Sequence, residues 1–401
     1  MNHESKIFLL SYFIISIGTP SQFIFAVKKA DPLTGALMVG FYFIFSAIAS
    51  IIFSHLSDRL MRRKIFAIIG FNLVAIIFVA YFFVSSPIEL IFCASLVGIG
   101  FSAYNPTSTA LFSEMEPMLP SGKLMSYFFV VASGGWALGS IIQGIIDQFL
   151  GDFVFIFGAA ITLIGMTVYL IKINDIPYYP NNLDTTNNPN SILKNPNLQL
   201  YSLLILILSL AILTRHLGIQ GGFALFPNYL EEGLGTEPFL LSLILAANMS
   251  SQALLMIPIG KLVDHNKFGR RITLLLGLST AFIAVLAWSF IRIPWILVFP
   301  QMLVGFSWVT LATSSTALIT DITTRKTRSQ GLGWFDAGLA IGGSIGPLVA
   351  ALLYVQSGES FTYAFQILSI FPIIGFFLVL LTFSEDRLTH QYTLIWEKRK
   401  K

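Results

Sequence analysis

The sequence predicts an all-α integral membrane protein with twelve transmembrane helices, arranged as two six-helix bundles. Three observations support this prediction. Hydrophobic residues make up 55% of the chain and charged residues 11%, whereas a soluble domain carries about 25% charged residues. Twelve apolar stretches are each long enough to cross a bilayer, which takes about 20 residues. The second half of the chain repeats features of the first half at a nearly constant spacing.

The apolar stretches follow one another closely except between the sixth and the seventh. The segment between them is rich in asparagine and proline and contains no apolar run, so we predict a flexible linker. This divides the chain into an N-terminal half (1–173), a cytoplasmic linker (174–198), a C-terminal half (199–384) and a basic cytoplasmic tail (385–401). The predicted stretches are 7–27, 35–56, 64–84, 87–112, 123–146, 153–173, 199–230, 238–259, 271–291, 293–320, 328–354 and 361–383.

Five features recur in both halves. Four of the pairs are separated by 207 residues and one by 206. Because six helices separate the two copies, both halves begin on the same side of the membrane and the repeat is parallel. The pairs are Pro20 with Pro227, Asp58 with Asp264, Glu114 with Asp321, Gly135 with Gly342 and Gly139 with Gly346.

Lysine and arginine are concentrated on one side of this topology. If the N-terminus is cytoplasmic, 20 basic residues fall on the cytoplasmic side, and Lys28, Lys29 and Arg292 fall outside. Cytoplasmic loops of membrane proteins show this excess, so we expect both termini in the cytoplasm of a multi-pass cell-membrane protein. Lys28 and Lys29 stand where a signal peptide would be cleaved, so the first stretch is expected to be retained.

A charged connection with a recurring pattern joins the eighth and ninth stretches. Its glycines are expected to allow close approach and left-handed backbone angles. The pattern resembles the helix 2–3 and helix 8–9 loops of the major facilitator superfamily, closest in these motifs to its drug and metabolite permeases. This resemblance implies two six-helix bundles that transport a small solute by alternating access. The motif residues are Gly260, Asp264, Gly269, Arg270 and Arg271, with Asp58, Arg59 and Arg62 in the first half.

The resemblance also implies a role for the two motif aspartates. In the family, the motif aspartate of one half meets the start of a helix in the other half and closes the cytoplasmic side. A helix N-terminus favours a carboxylate for electrostatic reasons. Asp58 is then expected near Arg328, and Asp264 near Lys123.

Small residues four positions apart mark the fifth and eleventh stretches. This spacing allows helices to approach closely in lipid. It also resembles the antiporter motif of drug-efflux facilitators, although in that family the proline form lies on helix five. Both interpretations remain open, and the fourth stretch has no arginine where drug:proton antiporters commonly carry one. The residues are Gly135 and Gly139, and Gly342, Gly346 and Pro347.

Arg215 lies near mid-depth of the seventh stretch, where an arginine costs several kcal/mol unless it meets an acid, carbonyls or water. We interpret it as a cavity-facing charge, or as an arginine held by carbonyls of a helix broken near Gly218. His216 beside it is a further candidate for substrate binding or coupling, because histidine titrates in the useful range, although its different direction on the helix favours a packing role. Asp336, the only acid within a late stretch, can carry a proton or neutralise Arg215, and we predict that the two side chains pair.

Neutral polar residues such as Asn105 and Gln252 are candidates to line a pathway. The chain has one cysteine and no nucleotide-binding loop or hydrolase motif, so we expect no enzyme, cofactor or metal site. We predict a secondary transporter that is proton-coupled, with export favoured. Proton-coupled uptake of a small organic anion or sugar, and a membrane sensor derived from a transporter, remain alternatives. The expected partners are a small-molecule substrate, protons and the lipid bilayer, without nucleic acid, and the protein is expected to be monomeric.

Overall fold

A computed structural model describes residues 1–60, 62–116, 121–175, 196–265, 269–322 and 328–382. In this part of the chain, twelve helices are long and apolar enough to cross a membrane, which confirms the predicted all-α, twelve-helix fold. They are α1 (His3–Lys29), α2 (Pro32–Leu60), α3 (Lys64–Phe83), α4 (Pro87–Met115), α5 (Ser121–Leu150), α6 (Phe153–Lys172), α7 (Pro196–Asn228), α8 (Pro238–His265), α9 (Gly269–Phe290), α10 (Val298–Ile322), α11 (Arg328–Gln356) and α12 (Phe361–Thr382).

Several helices run further than their apolar stretches predict, and two of them carry the motif aspartates. α2 continues to Leu60 and α8 to His265, because backbone hydrogen bonds extend a helix into polar residues as readily as into apolar ones. The motif aspartates therefore belong to the last turns of helices and not to loops. The expectation for Gly260 was wrong, since it lies inside α8 without a left-handed angle and nothing lies within 4 Å of the place of a Cβ.

The first and seventh helices have a similar irregularity, although the packing contacts, in which Phe13 corresponds to Leu213, place the two prolines seven residues out of register. In α1, Pro20 precedes a π-helical turn at Ser21–Ala26. In α7, Pro227 precedes a π-helical turn at Tyr229–Gly233. Proline lacks an N–H group and disturbs the α-helical hydrogen-bond ladder, and a wide turn follows it in both copies. The two halves thus share a local irregularity as well as a helix count.

α7 is continuous through its glycines, so the broken helix proposed for this region does not occur. The glycines bring α7 against its neighbours instead. A Cβ at Gly218 would lie 2.7 Å from the carbonyl oxygen of Leu368 in α12, and one at Gly221 would lie 2.7 Å from that of Gly346 in α11. Close helix approach at small residues is a common way to pack helices in lipid.

Helix packing follows the same pattern in each half. In the first half, α1 packs on α5 and α6, α2 packs on α4, and α3 packs on α4 and α6. In the second half, α7 packs on α11 and α12, α8 packs on α10, and α9 packs on α10 and α12. Each second-half pair is the first-half pair displaced by six helices. This is the parallel repeat that the spacing of the sequence predicts.

The two halves meet along two antiparallel helix pairs, α2 with α11 and α5 with α8. Between α2 and α11, a Cβ at Gly343 would lie 2.9 Å from the ring of Phe43. Between α5 and α8, Gly144 faces the side chain of Ser242. We call the end of the bundle where α1 meets α2 the closed end, and the end where α6 finishes and α7 starts the linker end.

Candidate functional site

Arg215 lies inside the C-terminal half with only 2% of its surface exposed. Its Nε donates to the hydroxyl of Ser307 at 3.2 Å and its Nη2 to the carbonyl of Val304 at 3.3 Å. The guanidinium also lies 5.5 Å from the ring centre of Trp308. Tyrosine and tryptophan faces attract cations in this geometry. α10 therefore supplies every described partner of this cation, through neutral groups.

His216 lies against the same tryptophan. Its ring meets Trp308 edge to face at 5.4 Å between ring centres, and its Nδ1 atom is buried without a hydrogen-bond partner. The prediction that His216 packs agrees with this contact. The two adjacent residues of α7 thus converge on one side chain of α10, although consecutive helix positions point about 100° apart.

Asp336 does not pair with Arg215, contrary to the prediction. α7 and α11 run parallel, with Gly338 against the carbonyl of Ser209 and Gly342 against that of Leu213. Asp336 is therefore level with a residue of α7 about eight positions before Arg215, or roughly 12 Å nearer the linker end. The prediction rested on each charge being isolated in its apolar stretch, and isolation does not place two residues at the same depth.

Asp336 lies on the side of α11 that packs against α2. It comes seven residues, or about two turns, before Gly343, and so shares the face of α11 that meets Phe43 of α2. Asp336 is exposed, and the corresponding residues of α2, Ser50 and Ser54, are only partly buried. This face is therefore less completely buried near Asp336 than at Phe43.

A chain of polar contacts links the Arg215 region to the other half. In α10, Gly305 packs directly against Asn248 and Ser251 of α8. The Nε2 atom of Gln252 donates to Asn248 Oδ1 at 3.0 Å, and Ser133 of α5 donates to Gln252 Oε1 at 3.4 Å. Gln252, a predicted pathway residue, is thus a contact between the two halves.

The other predicted pathway residue, Asn105, lies in the N-terminal half. Its side chain is exposed near the middle of α4, and its Oδ1 accepts a hydrogen bond from the hydroxyl of Tyr12 at 2.7 Å. Tyr12 itself is buried beside Phe128 and Tyr104. The structure does not describe a contact between Asn105 and the Arg215 region.

The glycines of the fifth and eleventh stretches pack inside their own halves. A Cβ at Gly135 would lie 2.5 Å from the carbonyl of Phe13 in α1, and Gly139 faces Ile17 of the same helix. In the second half, Gly342 and Gly346 face α7 in the same way, and Pro347 follows them inside α11. This geometry supports the packing interpretation of the small residues.

A charged cluster joins the halves at the closed end, and the sequence interpretation missed it. Lys28 of α1 lies 2.6 Å from a carboxylate oxygen of Asp147 in α5 and 3.3 Å from one of Glu231 in α7. We call these three residues the Lys28 triad. Beside it, the Asn228 amide donates to the carbonyl of Ala30 at 2.6 Å. The signal in the sequence was that Asp147 and Glu231 each directly follow an apolar stretch.

At the linker end, the structure describes charged contacts inside the first half. Arg63 lies 2.7 Å from Glu114, and the backbone N–H groups of Arg63 and Lys64 donate to Asp175 at 3.1 and 3.2 Å. A carboxylate is favoured at such a helix start. Of the motif residues, Arg59 and Arg62 are exposed, Arg270 is half-buried, Gly269 begins α9, and Arg271 donates to the carbonyl of Leu380 at 2.9 Å.

The contacts described above do not include those predicted for the motif aspartates. The side chains of Asp58, Asp264, Lys123 and Arg328 lie outside the described residues. The backbone of each is helical. The role of the two aspartates therefore stays a prediction.

Residues 7–223 and 208–400 match the family model described as the Major Facilitator Superfamily. A multidrug resistance efflux pump PmrA homolog of Lactococcus lactis is 25% identical over 256 residues, which are 63% of this chain and 62% of that relative. The class B tetracycline resistance protein of Escherichia coli is 28% identical over 179 residues, 44% of this chain and 43% of the relative. Both matches leave a third or more of each relative uncovered.

The fold is also similar to that of a solved transporter structure. The crystal structure of nucleoside transporter NupG superposes with a TM-score of 0.73, covering 96% of this chain and 100% of that one. The two sequences are 12% identical. At this identity the similarity concerns the fold alone.

Proposed function

The chain belongs to the major facilitator superfamily, and we propose that it is a proton-coupled exporter of a small organic solute in the cell membrane. Its relatives are transporters, so it is a membrane transporter and not an enzyme. We infer an interface between the halves that is tight at the closed end, where Lys28 meets Glu231, and widens towards the linker end, where Asp336 is exposed. A solute between the halves then reaches one side of the bilayer at a time, as alternating access requires.

The basic residues give this geometry an orientation. Twenty basic residues fall on the linker-end side of the topology and three on the other, so the linker end is the cytoplasmic one. The conformation described above is then open towards the cytoplasm. A reporter inserted near Asn188 should read cytoplasmic and one near Gly358 external. The opposite pair of signals would contradict the orientation.

The register of the helix pairs supports a closure of the linker end by the motif aspartates. Asp58 lies fifteen residues after Phe43, and Arg328 lies fifteen residues before Gly343, the residue that Phe43 contacts. In antiparallel helices these equal steps bring Asp58 opposite Arg328 when α2 and α11 approach. The helices α5 and α8 are aligned in nearly the same way as α2 and α11.

The same logic holds for the second motif copy. Gln252 meets Ser133, and Asp264 lies twelve residues beyond Gln252 while Lys123 lies ten residues before Ser133. Because these two distances along the helices differ by two residues, Asp264 and Lys123 are offset by about 3 Å along the helix axis. We therefore assign both aspartates to the outward-facing state, in which they hold the linker end together.

Asp336 is our candidate for proton coupling. It is exposed, and closure of the linker end would cover it with Ser50 of α2. Burying a carboxylate without a cationic partner is costly, so a proton would accompany closure. A proton taken up in one state and released in the other is what coupling needs.

Two other functions fit the fold. Uptake of a small organic anion or sugar by the same cycle differs only in direction, and the efflux function named for the relatives favours export. A sensor derived from a transporter would bind its ligand without turnover. Both alternatives predict results that differ from those of the exporter in a reconstituted system.

The test is flux through purified protein in proteoliposomes, screened with small organic solutes with and without a pH gradient. Proton-coupled export predicts solute accumulation when the lumen is made acidic relative to the bath and the protein pumps inwards from its cytoplasmic face. Asp336→Asn should abolish the effect of the gradient but keep exchange of solute. Glu237→Gln, an exposed acid at the closed end, is the matched control. Loss of gradient dependence in the control alone, or gradient-driven flux in Asp336→Asn, would contradict the assignment.

A further inference from the structure

Arg215 is a buried cation whose described partners carry no charge. They are a hydroxyl, a carbonyl and an indole ring. No ion pair joins Arg215 to any acid among the side chains that the structure describes, and Asp336 is about 12 Å away along the bundle. A buried cation without an anion is strongly unfavourable, and neutral acceptors compensate it only in part. The site therefore lacks one negative charge.

Unpartnered polar groups accompany this missing charge. Gln301 of α10 is 0% exposed, and neither its Nε2 nor its Oε1 has a hydrogen-bond partner. It lies three residues before Val304 and seven before Trp308, so the three residues share one face of α10. Each buried polar group left unpaired costs about 1–3 kcal/mol. Together with His216 Nδ1, three buried side-chain atoms of this region have no hydrogen-bond partner.

The repeat provides an internal comparison. Gly135 contacts Phe13 of α1 and Gly342 contacts Leu213 of α7, so the position that corresponds to Arg215 is Ile15. Gln301 and Trp308 correspond to Ala94 and Phe101, 207 residues earlier. Ile15 and Ala94 are buried, and the corresponding helices of the first half pack in the same pattern. The fold thus builds this part of a bundle from apolar residues alone. The polar residues of the second half serve something other than helix packing.

We propose that Arg215, Gln301 and His216, with Trp308 beside them, form a subsite between α7 and α10 for the carboxylate of a small organic anion. This inference rests on the proposed transport function and narrows its substrate class. A carboxylate would neutralise Arg215 through a charge-assisted hydrogen bond. It would also accept the N–H of the Gln301 amide. A neutral sugar would leave the cation without its counter-charge.

The test compares benzoate with benzamide, which have the same shape and differ in charge. We would measure the shift in unfolding temperature of the purified full chain in detergent against the concentration of each compound. Benzoate should bind at least about tenfold more tightly than benzamide, because a hydrogen bond to a charged group contributes about 1.5–3 kcal/mol. Inorganic phosphate should compete poorly with benzoate, since it lacks an apolar body.

Three variants test which residues cause the preference for benzoate over benzamide. Arg215→Gln should remove the preference for benzoate, and Gln301→Leu should weaken benzoate binding about fivefold while leaving benzamide unchanged. Gln366→Leu, a partly buried glutamine of α12, is the matched control and should behave as the wild type. If Arg215→Gln does not fold, Gln301→Leu and Ser307→Ala provide the same comparison.

Equal binding of benzoate and benzamide by the wild type would overturn the proposal. So would an undiminished preference in Gln301→Leu and Arg215→Gln, or phosphate binding as tight as benzoate binding, which would indicate a site for inorganic anions. The outcome is separable from that of the transport proposal. Benzoate can bind at this subsite in a protein without pH-driven flux, and flux of neutral solutes can persist when benzoate does not bind.

Discussion

The closed end and the linker end join the same two halves by different means. At the closed end, the Lys28 triad and the Asn228 amide cross between halves within 3.3 Å. At the linker end, the described ion pair of Arg63 and the backbone bonds to Asp175 stay within the first half. Among the described residues, the closed end thus carries an ion pair and an amide contact between the halves, and the ion pair of Arg63 at the linker end lies within one half. During transport by alternating access, the closed end must open and the linker end must close. Four predictions test this difference between the two ends.

The largest effect is expected at Gly144, where α5 comes closest to α8 at the closed end. A side chain there would overlap Ser242, and overpacking of a tight contact costs about 1–3 kcal/mol. Gly144→Val should reduce solute flux roughly five- to hundredfold, because the halves can no longer meet. Gly134→Val is the control, since only the ring of Phe13 lies near that site, at 3.6 Å. Equal loss in both variants would mean that the helix, not the contact, is affected.

A smaller effect is expected from Asp264. Asp264→Asn should lower flux several-fold while yield and unfolding temperature stay near those of the wild type, because it removes a contact made only in the other state. Asp58→Asn should have the milder effect, because its motif copy lacks the glycines of the second. Flux at the wild-type level in Asp264→Asn would make this aspartate a surface charge without a role in closure.

The Lys28 triad should give a modest shift. Glu231→Gln removes the bond between halves and leaves the Lys28–Asp147 pair intact. Since Glu231 is 38% exposed, solvent screening limits the loss to about 1 kcal/mol, or roughly fivefold in the opening equilibrium. A cysteine placed at the closed end should react faster with a polar thiol reagent, against the low background of buried Cys93. Glu237→Gln, an exposed acid nearby, is the control.

The smallest effect is a coupling energy near zero. Arg215 and Asp336 lie about 12 Å apart along the bundle, so the destabilisation of the double variant Arg215→Ala/Asp336→Asn should equal the sum of the single ones within about 0.5 kcal/mol. Chemical denaturation in detergent measures this. A larger coupling would mean that the two side chains meet in another state of the cycle.

The sequence predicts the fold well because bilayer spanning demands a long apolar run from every helix. It predicts helix ends less well, since charged residues such as those near Asp264 extend a helix beyond the bilayer. It misses the Lys28 triad because acids at helix ends are common and tertiary packing decides which of them meet. It wrongly joins Arg215 to Asp336 because it paired two isolated opposite charges, whereas the contacts of Gly338 and Gly342 with α7 place them at different depths.

The partners of Arg215 also constrain the order in which the protein can be made. Val304 and Ser307 follow Arg215 by 89 and 92 residues, which a ribosome adds in roughly 4 to 18 seconds at 5–20 residues per second. During that interval α7 has left the ribosome while the helix that accepts its guanidinium does not yet exist. An isolated helix with a central arginine inserts at a cost of about 2.5–3.5 kcal/mol. A chain that stops before α10 therefore leaves this arginine without the hydroxyl and carbonyl that accept its hydrogen bonds in the complete fold.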